Sequence, residues 1–123
     1  MKNTLKFLSF ILILSSLLSC SYFKDKELEK KIIGSWKEDN GKVEQFHFSA
    51  FTYTYYADHT FTAKYFGGDI VNGTYKIENG KLYTKKIEYG IERDYGSSKI
   101  MFNSSGELIQ DNGSSVYRLV KVN

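Results

Sequence analysis

Few side chains in this sequence have the types and spacing to do chemistry. Cys20 is the only cysteine in 123 residues, so it has no disulfide partner in the chain and stands as a lone thiol at the end of an apolar run. The two histidines, His47 and His59, lie either side of a turn signal without ligand-spaced partners, so no metal centre is expected, and His59 reads as a turn residue. Glu92, Arg93 and Asp94 stand together in "IERDYG", but a catalytic carboxylate needs a cleft around it and a solvated loop is the simpler reading. Asp39, Asp58, Asp69 and Asp111 fall at turns, where a carboxylate accepts hydrogen bonds from its own backbone. No Gly-rich phosphate loop and no Ser/His/Asp arrangement in a motif context occurs. The sequence names no catalytic residue and no cofactor, and it does not read as an enzyme. What it has in quantity is tyrosine, ten in all, with nine phenylalanines. Tyr53, Tyr55, Tyr65 and Tyr75 can line a binding site, the rings giving apolar walls and the hydroxyls orienting a ligand, or they can simply cover a sheet. Both readings stand at this level.

The elements that place Cys20 come first along the chain. Lys2 and Lys6 precede an almost wholly apolar stretch from Phe7 to Leu14, and Ser15, Ser16 and Ser19 follow it. This is the order of a secretory leader, and its apolar part stops well short of the about 20 residues that a membrane span needs. Leu17-Leu18-Ser19-Cys20 resembles the lipobox of bacterial lipoproteins. That resemblance implies that residues 1–19 are a signal peptide and that the Cys20 sulfur carries a diacylglycerol. It also implies attachment to the membrane through an N-terminal lipid, in a bacterial cell envelope. Ser21 rather than aspartate after the cysteine implies the outer membrane where the host has one. Lys2 and Lys6 depart with the leader, so little remains of the excess of 17 basic over 14 acidic side chains. No clustered footprint for nucleic acid survives, and "KDKELEKK" mixes both signs as a solvated helix face does.

Beyond the leader the composition argues for sheet. There is no proline, and tyrosine and phenylalanine need a half-buried pleated surface to pack on. Asn40-Gly41, Gly67-Gly68, Asn79-Gly80, Ser105-Gly106 and Asn112-Gly113, with Asp58-His59 and Tyr89-Gly90, supply the positive φ of tight turns. Between them lie "VEQFHF", "FTYTYY", "TFTAKYF", "GTYKIE", "KLYTKKIEY", "SKIMF", "ELIQ" and "SVYRLVKV", the pattern of an antiparallel meander. Phe46 and Phe48 have opposite parity to Phe51, Tyr53 and Tyr55, so a bulge or a strand break is expected at Ser49-Ala50. Only "KDKELEKKII" reads as helix, with Asp25 as N-cap, Leu28, Ile32 and Ile33 on one stripe, and Gly34 as its stop. A meander with edges to hide is most simply closed, so the expected fold is all-β: an antiparallel up-and-down barrel of about eight strands with a short N-terminal helix.

The order of "IIGSWKED", "TYYADHTFTA", "NGTYKIENGKLY" and "SVYRLVKV" resembles the small bacterial lipocalin-like domains of many lipoproteins and, more distantly, lipocalins and fatty-acid-binding proteins. Gly34-Ser35-Trp36 matches the lipocalin Gly-x-Trp signature on the first strand. The resemblance implies that Trp36 closes one end of the barrel beneath an arginine from the last strand, the place where Arg118 stands. It implies a domain at 28–123, with the lipidated cysteine and a short tether at 20–27. It also implies a small apolar ligand bound without catalysis. The chain is shorter than a full lipocalin, and an eight-stranded barrel is just wide enough to be filled by its own side chains or to hold one small ligand. The second functional class is therefore a filled barrel whose outer aromatics, such as Tyr55, Tyr56 and Tyr65, meet an envelope protein partner. An internal void lined by aromatic side chains distinguishes the first from the second.

Overall fold

Backbone with positive φ punctuates the chain where asparagine or glycine was expected to supply it. Asn79 (φ 53°) and Gly80 (φ 75°) form one such pair, and Tyr89 (φ 52°) and Gly90 (φ 74°) another. Two successive left-handed residues match the twist of the flanking strands, which is why such pairs make two-residue hairpins. His59 (φ 67°) turns the chain after Asp58, whose Oδ1 accepts hydrogen bonds from the Thr60 backbone N–H and hydroxyl at 3.0 and 2.6 Å.

A computed structural model describes residues 20–39, 51–64, 68 and 70–122. Helix α1 covers residues 20–32. The strands are β1 (Gly34–Glu38), β2 (Thr52–Tyr55), β3 (Thr60–Lys64), β4 (Ile70–Glu78), β5 (Lys81–Glu88), β6 (Ile91–Phe102), β7 (Leu108–Asp111) and β8 (Val116–Val122). Each pairs antiparallel with the next, and β1 pairs with β8, closing the barrel. Closure removes both free edges, the structural gain anticipated from the meander pattern. The leader, Asn40-Gly41, "VEQFHF" with His47, the expected bulge or break at Ser49-Ala50, Tyr65 and Asp69 lie outside the described residues.

Side chains alternate inward and outward along each strand. Trp36, Tyr55, Phe61, Ala63, Tyr75, Ile77, Leu82, Ile100, Leu108 and Leu119 are the buried inward set. Gly73 on β4 lets this packing close, for a Cβ there would collide with the Lys85 carbonyl oxygen and stand 2.6 Å from Phe61 Cε1. Helix α1 caps one end, with Ile32 fully buried and Leu28 packed against the core. The Trp36 indole donates from Nε1 to the Ile32 carbonyl oxygen at 2.7 Å, satisfying a carbonyl that the helix end leaves unpaired.

Three expectations need correction. Asp25 is not an N-cap, since the described residues before it, from residue 20 on, are already helical. The Asp25 carboxylate accepts instead from the backbone N–H groups of Asn79 and Gly80 at 2.8 and 2.9 Å, clamping the helix to the β4–β5 turn. "IERDYG" is the first half of β6, not a loop. Its charged side chains face solvent, which is what gave it the appearance of one. Finally, β1 and β8 do pair, but Arg118 does not reach Trp36. Its neighbour Leu119 is inward, so alternation turns Arg118 outward, where Nη2 meets Asp39 at 2.9 Å and Nε meets Glu107 at 3.4 Å. Lys121, opposite Trp36 in the register, carries the cation over the indole instead, with Nζ 5.8 Å from the ring centroid.

Candidate ligand-binding cavity

The described residues do not fill the barrel. A cavity of about 580 Å³ lies inside it, within the 300 to 1,000 Å³ range, roughly, of small-molecule sites. Its position follows from the two ends. At the closed end are α1, the β4–β5 turn and Phe102, whose ring packs against Trp36 at 5.7 Å and under Lys31 Nζ at 5.9 Å. Glu38, Phe51, Asn112 and Tyr117 line the cavity at the other end, where β1 finishes and β7 turns into β8.

One part of the lining is aromatic: Phe51, Tyr53, Tyr55, Phe61, Tyr95 and Tyr117. Phe51 and Tyr53 stack at 5.7 Å with planes 15° apart, Tyr55 and Phe61 at 6.1 Å, and Phe61 meets Tyr95 at 5.9 Å. These offset contacts hold the rings as fixed walls. The other part is polar, from Thr84, Ser97 and Ser98 on β5 and β6 and from Gln110 and Asn112. Burial pushes the Tyr55 phenol well above the ordinary tyrosine range, against a side-chain hydrogen bond with Gln110 that lowers it. Tyr55 is therefore a neutral hydroxyl at the boundary between the aromatic and polar walls.

Tyr95 enters the cavity through an irregularity. Thr84 pairs with Gly96 and Lys85 with Asp94, so the register slips by one and Tyr95 is the extra residue. A bulge puts two consecutive side-chain positions toward the same face, and both Tyr95 and Gly96 line the cavity. Thr84 Oγ1 donates to the Gly96 carbonyl at 3.2 Å across this point.

Of the four tyrosines singled out in the sequence, Tyr53 and Tyr55 line the cavity. Tyr75 sits behind it, edge-on to Tyr55 at 5.2 Å, and donates its hydroxyl to the Tyr56 carbonyl at 2.7 Å. Burial, with the Glu29 and Asp58 carboxylates, pushes its phenol up to about 12. Tyr65 lies outside the described residues. The proposed outer patch does not form around Tyr55, which is 2% exposed. Sequence reading missed Glu38, Phe51, Phe61, Tyr95, Gln110 and Tyr117. Alternation from Trp36 and Leu119 would have turned Glu38 and Tyr117 inward, but nothing in the sequence located the bulge at Tyr95.

Elsewhere, Cys20 is exposed at the first described residue of α1, and His59 stands in the β2–β3 turn with its ring 5.5 Å from that of Tyr75. Among the described residues no group of His, Cys, Asp and Glu side chains could hold a metal ion, and no helix is long and apolar enough to cross a membrane. Comparison of the chain with protein-family models, with curated proteins and with solved structures finds no match.

Proposed function

We propose that this protein is a lipid-anchored lipoprotein of the bacterial cell envelope whose lipocalin-like barrel binds a small, largely apolar molecule without catalysis. The observation that carries the reading is the cavity of about 580 Å³ with aromatic walls and a few hydroxyl and amide groups. That combination buries an apolar body and fixes its orientation. It favours a binding module over a filled barrel that serves only as a contact surface.

The lipobox supplies the anchor at Cys20, exposed at the first described residue of α1. Ser21 Oγ donates to Asn79 Oδ1 at 3.0 Å, which holds the start of the helix beside the β4–β5 turn. A lipid on Cys20 would therefore tether the closed end to the bilayer and leave the cavity end directed away from it. The ligand would then enter from the aqueous side.

Native mass spectrometry of the protein extracted from its own host tests the binding reading. A copurified small molecule lost on denaturation is the expected result, and a clean apo mass in repeated preparations overturns it. Labelling by a fatty-acid analogue that disappears in Cys20→Ser tests the anchor independently.

A further inference from the structure

Glu38 is the only charged side chain among the described residues that line the cavity. It belongs to the inward set of β1, two residues after buried Trp36. No described lysine or arginine pairs with it: Arg118 on the neighbouring strand is turned outward to Asp39 and Glu107, and Lys37 on its own strand has the opposite parity. The register sets its surroundings. Lys37 lies opposite Thr52, which brings Phe51, the residue just before β2, alongside Glu38, and Leu119 lies opposite Glu38 on β8. Tyr117, two residues from Leu119, shares that inner face. Phe51, Tyr117 and, deeper, Tyr53 and Tyr95 all line the same space.

A carboxylate flanked by aromatic rings has a definite preference. Ring faces are negative and attract cations, more strongly where water is displaced, and the carboxylate adds a full opposite charge. An anion would meet repulsion from the carboxylate with no basic group lining the described wall to offset it. A neutral apolar ligand would leave Glu38 partly desolvated without compensation. We infer that the cavity takes an organic monocation, a substituted ammonium or amidinium on an apolar frame, with the charged group at Glu38 and the frame among the rings below. Weakly hydrated cations suit the site best, because least hydration is lost on entry. The inference rests on the binding reading above and names the ligand class for that cavity.

The test uses the full chain in lipid nanodiscs and three probes on one naphthylmethyl frame: (1-naphthylmethyl)trimethylammonium, its isosteric neutral carbon analogue 1-neopentylnaphthalene, and the carboxylate anion of 1-naphthylacetic acid. Titrations are followed by backbone amide shifts of Ser98 and Gln110, which line the cavity, with empty nanodiscs as reference. The expected result is saturable binding of the cation about tenfold or more tighter than the neutral analogue, the size of effect that a desolvated cation–π contact with an added charge supplies. Glu38→Gln should erase that preference, and Glu38→Asp, which keeps the charge, should retain most of it. Equal affinity for cation and neutral analogue, tightest binding of the anion, or an unchanged preference in Glu38→Gln overturns the cation assignment while the binding reading stands. If no probe shifts either amide, both fall.

Discussion

The Asp25 carboxylate on α1 accepts a hydrogen bond from the Gly80 backbone N–H, 2.9 Å away and 55 residues along the chain. Its other oxygen accepts from Asn79 N–H at 2.8 Å. One side chain thus satisfies both donors of a hairpin turn and fixes a helix across the closed end of the barrel. Charge-assisted bonds of this kind are stronger than neutral ones. Asp25→Ala should destabilise the protein by about 1–3 kcal/mol and speed hydrogen exchange at Asn79 and Gly80 ahead of the other turns. Unchanged exchange at these two amides would contradict the clamp.

Gly73 stands where β4 passes closest to the Lys85 backbone and the Phe61 ring. The Lys85 carbonyl is held in the β4–β5 ladder opposite Thr74, so it cannot swing aside as a flexible side chain would. Gly73→Ala should therefore cost about 1–3 kcal/mol or more, as overpacking does, and disturb the Phe61–Tyr95 contact that forms one cavity wall. Urea unfolding gives the first, and a displaced Tyr95 resonance the second.

At the barrel seam, Trp36 fills the closed end while Arg118 lies outside. Trp36→Ala should cost about 3–5 kcal/mol, as large buried aromatic deletions do. Arg118→Ala should cost no more than about 1 kcal/mol, since its pairs with Asp39 and Glu107 are at the surface. A double-mutant cycle should find coupling between Trp36 and Lys121, whose Nζ lies 5.8 Å from the ring, and additivity between Trp36 and Arg118.

What could be read from the sequence divides by range. The turns at Asn79-Gly80, Tyr89-Gly90 and Asp58-His59 were legible because a positive φ is imposed by one or two adjacent residues. The closed eight-stranded barrel followed from them, because short loops leave a meander little else to do with its edges. The stop at Gly34 was legible for the same local reason, with φ 130°. Asp25 was misread because an N-cap and a tertiary clamp use the same carboxylate, and only the fold brings Gly80 to it. Arg118 was placed by family resemblance where simple alternation past Leu119 would have turned it away. The aromatic wall was half legible: Tyr53 and Tyr55 share a parity, whereas Tyr95 depends on a slip in the pairing of β5 with β6 that no local signal marks.

Alkaline pH offers a further check on the tyrosines of the core. The phenol of Tyr75 is pushed up to about 12, chiefly by burial, from an ordinary value near 10, and burial raises that of Tyr55 as well. Both groups hold their protons more tightly folded than unfolded. Above about pH 10 the unfolded chain therefore loses protons that the folded chain keeps, and the unfolded state binds fewer of them. Stability contributed by these hydroxyls is fully present below about pH 10 and falls as pH rises toward about 12. Thermal unfolding followed from pH 8 to 11 should give a falling midpoint over the upper part of that range. Tyr75→Phe removes one of the titrating groups and the bond to the Tyr56 carbonyl, so its midpoint should start lower at pH 8 and fall less steeply above pH 10. A Tyr75→Phe curve parallel to the wild type across the whole range would mean that the Tyr75 phenol does not titrate differently on folding, and that the closed end of the cavity is wetter than its packing against Tyr55 implies.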